Sequence, residues 1–303
     1  MNKHTSSRFP SSAPRAAKVD PAISDSGLNS ELLKALHILT REGALNQDSR
    51  RKLKQVMHLV QFIRPLIDEV LKTQSRVQVV DHGAGKSYLG FVLYNLFAPA
   101  LQAKGQTLAV TGVEVRDGLV QRSRELAAQF GLNGMSFMSM SVASANDAFA
   151  QTGAGVDIVT ALHACDTATD EAIDFALHHG AAHLALVPCC QAEVAATLRS
   201  SKAFAMHKTP LAELWRRPLH TREFGSQITN VLRCLRLEAR GYKVTVTELV
   251  GWEHSMKNEL IIASRHPDVA AKSAAKKLEA LLDEIGLAEM RERFAVPAQS
   301  QDI

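Results

Sequence analysis

The sequence predicts an α/β fold: a doubly wound sheet, mostly parallel, closed by an antiparallel hairpin. Three observations carry this. From residue 76 onward short β-branched runs alternate with helical segments, the pattern of a parallel sheet covered on both faces. Near the end, "YKVTVTELVGWE" and "NELIIASR" are two β runs with no helix between them, so they pair antiparallel. The chain has 303 residues, 46% of them hydrophobic, enough for one large α/β domain with additions.

The elements follow in order. The first 27 residues are rich in Ser, Pro and Ala and carry too little apolar surface to order themselves. A targeting peptide would need an amphipathic helix there, which Pro10 and Pro14 oppose. Residues 28–75 read as a helical cap. "SELLKALHILTREG" stops at Gly43, and the next segment puts Val56, Val60, Ile63, Ile67 and Val70 on one stripe, with a bend or break expected at Pro65. Arg50, Arg51 and Lys52 open that helix and read as a solvated face.

Residues 76–266 hold the strand–helix alternation. "VQVVD", "TLAVTGVEVR", "MSFMSMSV", "VDIVTALHACD" and "AHLALVPCC" are the five parallel strands, and the hairpin makes seven in all. The helix "ATDEAIDFALHHG" carries acids in its first turn and histidines in its last, as its dipole favours. Residues 267–303 form a C-terminal helical tail that packs on the core or on a partner.

In such a sheet the ligand lies beyond the carboxyl ends of the strands. The first strand ends at Asp81, the second at Glu114, the fourth at His163 and the fifth at Cys189, so these tips share one rim. Gly83 and Gly85 let a ligand approach backbone closely. Gly85-Lys86-Ser87 looks like the end of a phosphate loop. That loop needs a first glycine at position 80, which is Val80 inside a strand, and this argues against a nucleotide triphosphatase. A dinucleotide fingerprint would place its third glycine at position 88, which is Tyr88, and the hairpin also argues against an NAD oxidoreductase.

"VVDHGAGKSYLGFVL" resembles the first motif of class I S-adenosylmethionine-dependent methyltransferases, in the subgroup that writes it D-x-G-[AS]-G-K-G-[YK]-L. "GVEVR" resembles that fold's acidic second motif. "ALHACDTATDEAI" resembles the subgroup's H-x-C-G-x-x-T-D box, "VPCCQ" its element after the fifth strand, and "WEHSMKNELIIASR" its final hairpin. The likeness spans roughly residues 50–265 and is shared with methyltransferase-like proteins and the tRNA acceptor-stem 2′-O-methyltransferases. Three positions depart from the pattern: Ser87 for glycine, Asp166 for glycine and Gln191 for histidine.

The resemblance implies a Rossmann-like sheet and S-adenosyl-L-methionine as cofactor. It implies that Asp81, Gly83, Ala84 and Gly85 wrap the methionine end, and Glu114 anchors the ribose. Ser141, Val142 and Asn146 frame the adenine from beyond the third strand, and Leu162 contacts the cofactor from the fourth. His163 and Asp166 then stand where donor and acceptor meet. Methyl transfer is an in-line displacement whose main demand is alignment. A hydroxyl or protonated amine acceptor also needs a base, which His163 supplies with an ordinary pKa of about 6.5.

No metal is expected. Cys165, Cys189 and Cys190 lack the C-x₂₋₄-C spacing of a zinc site and read as buried thiols. The cysteines form no disulfide framework, which fits a reducing, cytoplasmic compartment. Residues 201–243 hold nine Lys/Arg against three acids, with Phe204, Trp215, Phe224 and Tyr242 interspersed, a composition suited to RNA. The expectation is a cytoplasmic methyltransferase acting on a macromolecule, RNA first. A protein acceptor, or an adaptor that kept the fold without catalysis, stands as the alternative. The oligomeric state is open.

Overall fold

The structure is a computed structural model that describes residues 23, 27–152, 155–162, 164, 167–188, 191–200, 210–214, 216–250 and 259–295. A seven-stranded sheet runs β3-β2-β1-β4-β5-β7-β6. Its strands are β1 (Arg76–His82), β2 (Thr107–Glu114), β3 (Met135–Ser139), β4 (Ile158–Leu162), β5 (His183–Val187), β6 (Tyr242–Glu248) and β7 (Glu259–Arg265). β1 to β5 are parallel, and β7 pairs antiparallel with both β5 and β6. The mixed sheet is therefore the one the sequence pattern predicts.

Ten α-helices are described: α1 (Ser30–Ala35), α2 (Gln47–Val70), α3 (Tyr88–Gln102), α4 (Asp117–Gln129), α5 (Val142–Thr152), α6 (Thr167–His178), α7 (Glu193–Ser200), α8 (Pro218–Glu238), α9 (Ala271–Glu284) and α10 (Arg291–Phe294). One apolar layer joins α1 to α4 with β1 and β2. A second joins α5 and α6 to the other face. A satellite cluster seats α9 and α10 on α7 and α8, so the C-terminal segment is packed, as its amphipathic pattern implies. None of the described helices is long and apolar enough to cross a membrane.

α2 shows no break at the proline where a bend or break was expected. It runs through Pro65 unbroken for 24 residues. Pro65 lies on its exposed face. Ile63, Leu66, Ile67 and Val70 hold the other face against the core. Asn46 caps the start, its side chain accepting from the Ser49 N–H at 2.7 Å.

Register sets the rim. Asp81 lies opposite Gly112 on β2 and Thr160 on β4, so the tips of β1, β2 and β4 end at nearly one level. The connection after β1 starts on that level and turns at once into α3.

Candidate functional site

The turn after β1 is built by backbone that few side chains tolerate. Gly83 has φ 63° and Gly85 φ 58°, both left-handed. The Ala84 N–H donates to the Val113 carbonyl at 3.1 Å, and the Gly85 N–H donates to Glu114 Oε2 at 2.9 Å. The turn is thus pinned to the tip of β2. Ser87 also has φ 53°, the geometry that explains why glycine suits its place. Its hydroxyl is buried and has no partner among the described residues.

Glu114 is the best-connected group of the rim. Oε1 accepts from the Arg116 N–H at 3.1 Å and from Arg116 Nε at 2.8 Å. Oε2 accepts from Gly85 and from Arg116 Nη2 at 3.1 Å. The Arg116 fork comes first among the causes that hold this carboxyl below its usual range, against the opposing push of burial. The fork is not fixed by burial: the Arg116 side chain is 65% exposed. Next to it Val115 stands 66% exposed, an apolar side chain set beside a carboxylate.

Asp81 differs. It is buried, and its only described bond is from Thr160 Oγ1 at 2.8 Å. Burial pushes its carboxyl up to about 7, and the Thr160 bond offsets this only in part. His82, one residue on, faces the opposite side of the sheet. Its ring lies 4.4 Å from Phe175, and neither ring nitrogen has a partner among the described residues. Burial, reinforced by His179, drives its pKa down to about 3.

The other predicted residues divide. Ser141 caps α5, its Oγ accepting from the Ser144 N–H at 3.2 Å. Val142 begins that helix, and Asn146 lies one turn in, its buried Oδ1 without a described partner. Leu162 ends β4 and lines a cavity with Tyr88. Lys86 lines a smaller cavity with His37 and Arg122. His163, Asp166, Cys165, Cys189 and Cys190 lie outside the described residues. Gln191 is buried and locked: it donates to Asn230 Oδ1 at 3.0 Å and accepts from Ser226 Oγ at 2.6 Å. Among the described residues no group of three or more His, Cys, Asp or Glu is placed to hold a metal.

Three residues escaped the sequence reading, and a fourth, Asp170, was read only as a first-turn acid. Arg116 and Val115 carry a local signal, since both follow the acidic strand end directly. His82 and Asp170 do not, because their importance comes from what the fold packs against them.

Residues 51–197 match the family described as a methyltransferase domain. The rim offers what the expected methyl donor, S-adenosylmethionine, requires: bare backbone at Gly83 and Gly85 lies beside an acceptor-only carboxylate at Glu114. A search of curated proteins finds no match. Solved structures similar to the chain include a methyltransferase from Geobacter sulfurreducens (14% identity, 82% of this chain and 99% of that one, TM-score 0.38). Another is the CMeT domain of the citrinin polyketide synthase (14% identity, 73% and 57%, TM-score 0.41). A third is fibrillarin from Aeropyrum pernix, bound to S-adenosyl-L-methionine (12% identity, 62% and 66%, TM-score 0.37). Likenesses this loose do not bear on the acceptor.

Proposed function

We propose that this chain transfers a methyl group from S-adenosylmethionine to an oxygen or nitrogen of RNA. The observation that carries the cofactor half is the Gly85–Glu114 link, which sets carboxylate and bare backbone side by side at two strand tips. In this reading Glu114 holds the ribose, Val115 covers the adenine, Ser141 and Val142 flank it, and Leu162 contacts the cofactor from the tip of β4. Asp81, Gly83, Ala84 and Gly85 take the methionine end.

The Arg116 fork supplies a further step. It fills one lone pair on each oxygen of Glu114 through Nε and Nη2. When it swings away, two acceptor sites open, matched to the two hydroxyls of a ribose. Its exposure makes the exchange inexpensive, because water takes over the guanidinium.

The bound cofactor supplies an electrophilic methyl on a sulfonium. The chain's own residues align the acceptor and receive its proton, a role we assign to His163 with Asp166 beside it in sequence. The RNA reading draws on the excess of cations over residues 201–243. The structure narrows that argument: Arg233 and Arg236 are buried, and Arg216 and Arg222 are paired with Glu213 and Glu223.

The adaptor reading keeps one observation in its favour, the Arg116 fork that already satisfies Glu114. Incubation with labelled methyl donor, total RNA and protein extract from a deletion strain separates the readings. The account expects label in RNA and a single modified nucleoside on analysis. Label in protein would replace the acceptor, and cofactor binding with no transfer would favour the adaptor.

A further inference from the structure

α2 is longer than the strand it feeds. Its 24 residues span about 36 Å, whereas the seven residues of β1 span about 23 Å. Its last turn leads into the start of β1, so its first turns rise to the level of the strand tips. There a cavity of about 320 Å³ opens between α2, Tyr88 at the start of α3, and Leu162 at the tip of β4. That size is at the lower end of ligand pockets, which run from about 300 to 1,000 Å³.

The polar groups around this cavity are unequally committed. Lys52 is held by Asp48 at 2.7 Å, so that pair is internally neutral. The Arg51 guanidinium, the Gln55 amide and the Tyr88 hydroxyl have no hydrogen-bond partner among the described residues. Val56 adds an apolar floor. A free cation, a free amide and an aromatic ring converge where β4 ends, just before His163 in the sequence.

We propose that this cavity seats the acceptor nucleotide of an RNA. Arg51 takes a phosphate, for which its planar fork is suited. Tyr88 stacks on the base, and Gln55 reads a base edge. This rests on the reading of the chain as an RNA methyltransferase and names where that substrate is held. It also gives Tyr88 a reason to be aromatic, which cofactor binding does not. The cations of α8 serve less well, since Arg233 forks onto Asp170 in the interior and Arg236 is tied to Asp174.

The test uses the full chain and a labelled single-stranded RNA of mixed sequence, with anisotropy measured across a salt series. R51Q is expected to weaken binding at least fivefold and to lower the salt slope by about 0.7, one phosphate contact on a single strand. Y88A is expected to weaken binding without that change in slope. Both variants should bind S-adenosylmethionine like the parent. R51Q sits on an exposed face, so it keeps the test decisive even where Y88A fails to fold. If the parent methylates RNA and R51Q binds RNA as tightly, the cavity assignment falls and the RNA reading stands. If the parent neither binds nor methylates RNA, the RNA reading falls and takes the cavity with it.

Discussion

Two acid–arginine clusters in this molecule share one chemistry and have opposite settings. At the rim, Glu114 is gripped by an Arg116 that is 65% exposed. In the wall behind β4 and β5, Asp170 is gripped by Arg233, which is fully buried, through Nε and Nη2 at 2.8 Å each. Arg293 of α10 adds a second cation to Asp170 at 2.6 Å and reaches Glu193 of α7 as well. Burial pushes the Asp170 carboxyl up, and the two arginines more than reverse it, leaving it below its ordinary range. The rim pair can exchange its partner for a ligand because water receives the displaced guanidinium. The wall pair cannot, because each charge would be stranded in a dry interior. In the proposed reading one cluster is a binding device; the other is a clamp joining α6, α7, α8 and α10.

The comparison breaks most visibly at the clamp. D170A leaves Arg233 buried without its counter-charge and should cost ~3–5 kcal/mol of stability, read from denaturant or thermal unfolding. Cofactor affinity in the surviving folded fraction should stay near the parent's. A loss much under 1 kcal/mol would mean that the wall yields as easily as the rim.

At the rim the expected signs invert. E114A should weaken S-adenosylmethionine by ~1–3 kcal/mol in titration calorimetry, with little change in unfolding. R116Q should bind the cofactor as tightly as the parent or severalfold more tightly, because it removes a competitor for the same lone pairs. If R116Q binds much more weakly, Arg116 itself contacts the cofactor and the exchange picture is wrong.

Asp81 sharpens the contrast through pH. Its folded pKa of about 7 stands above the ordinary 3.8, so between those values the folded chain holds a proton that the unfolded chain has released. Stability relative to a D81N variant should therefore fall as pH rises from about 4 to about 7, then level off. His82 acts in the opposite direction. With a folded pKa of about 3 against 6.5, it withdraws stability as pH falls through that window. The two neighbours mask each other in the parent, so the D81N comparison is needed to expose the slope. A pH-independent difference would show that Asp81 stays ionised.

The smallest effect is expected at Ser87. S87G relieves a left-handed φ and removes a buried, unpartnered hydroxyl, against the entropy that glycine adds to the unfolded chain. A net gain of about 0.5–1 kcal/mol is expected in unfolding experiments, and a loss would show that the hydroxyl has a role the turn geometry does not reveal.

The same contrast explains what the sequence could disclose. Strand alternation, the Gly83–Gly85 turn and the acid closing the second strand are marked by neighbours a few residues away, so local pattern reveals them, although the Gly85–Glu114 bond itself spans 29 residues. The helix is not broken at Pro65 because the proline occupies the exposed face, a tertiary matter. Asp170 looked like an ordinary first-turn acid. Its partner Arg233 lies 63 residues away, and no local spacing announces that meeting. Gln191 looked like a departure from a motif, yet it is built into a network with Ser226, Asn230 and Glu259.

The most direct trial is a crystal structure of the chain with S-adenosylhomocysteine. The account predicts the ribose hydroxyls on Glu114, the Arg116 fork turned out to solvent, and ligand against the Gly83–Gly85 turn. Ligand bound elsewhere, with Arg116 still clasping Glu114, would contradict it.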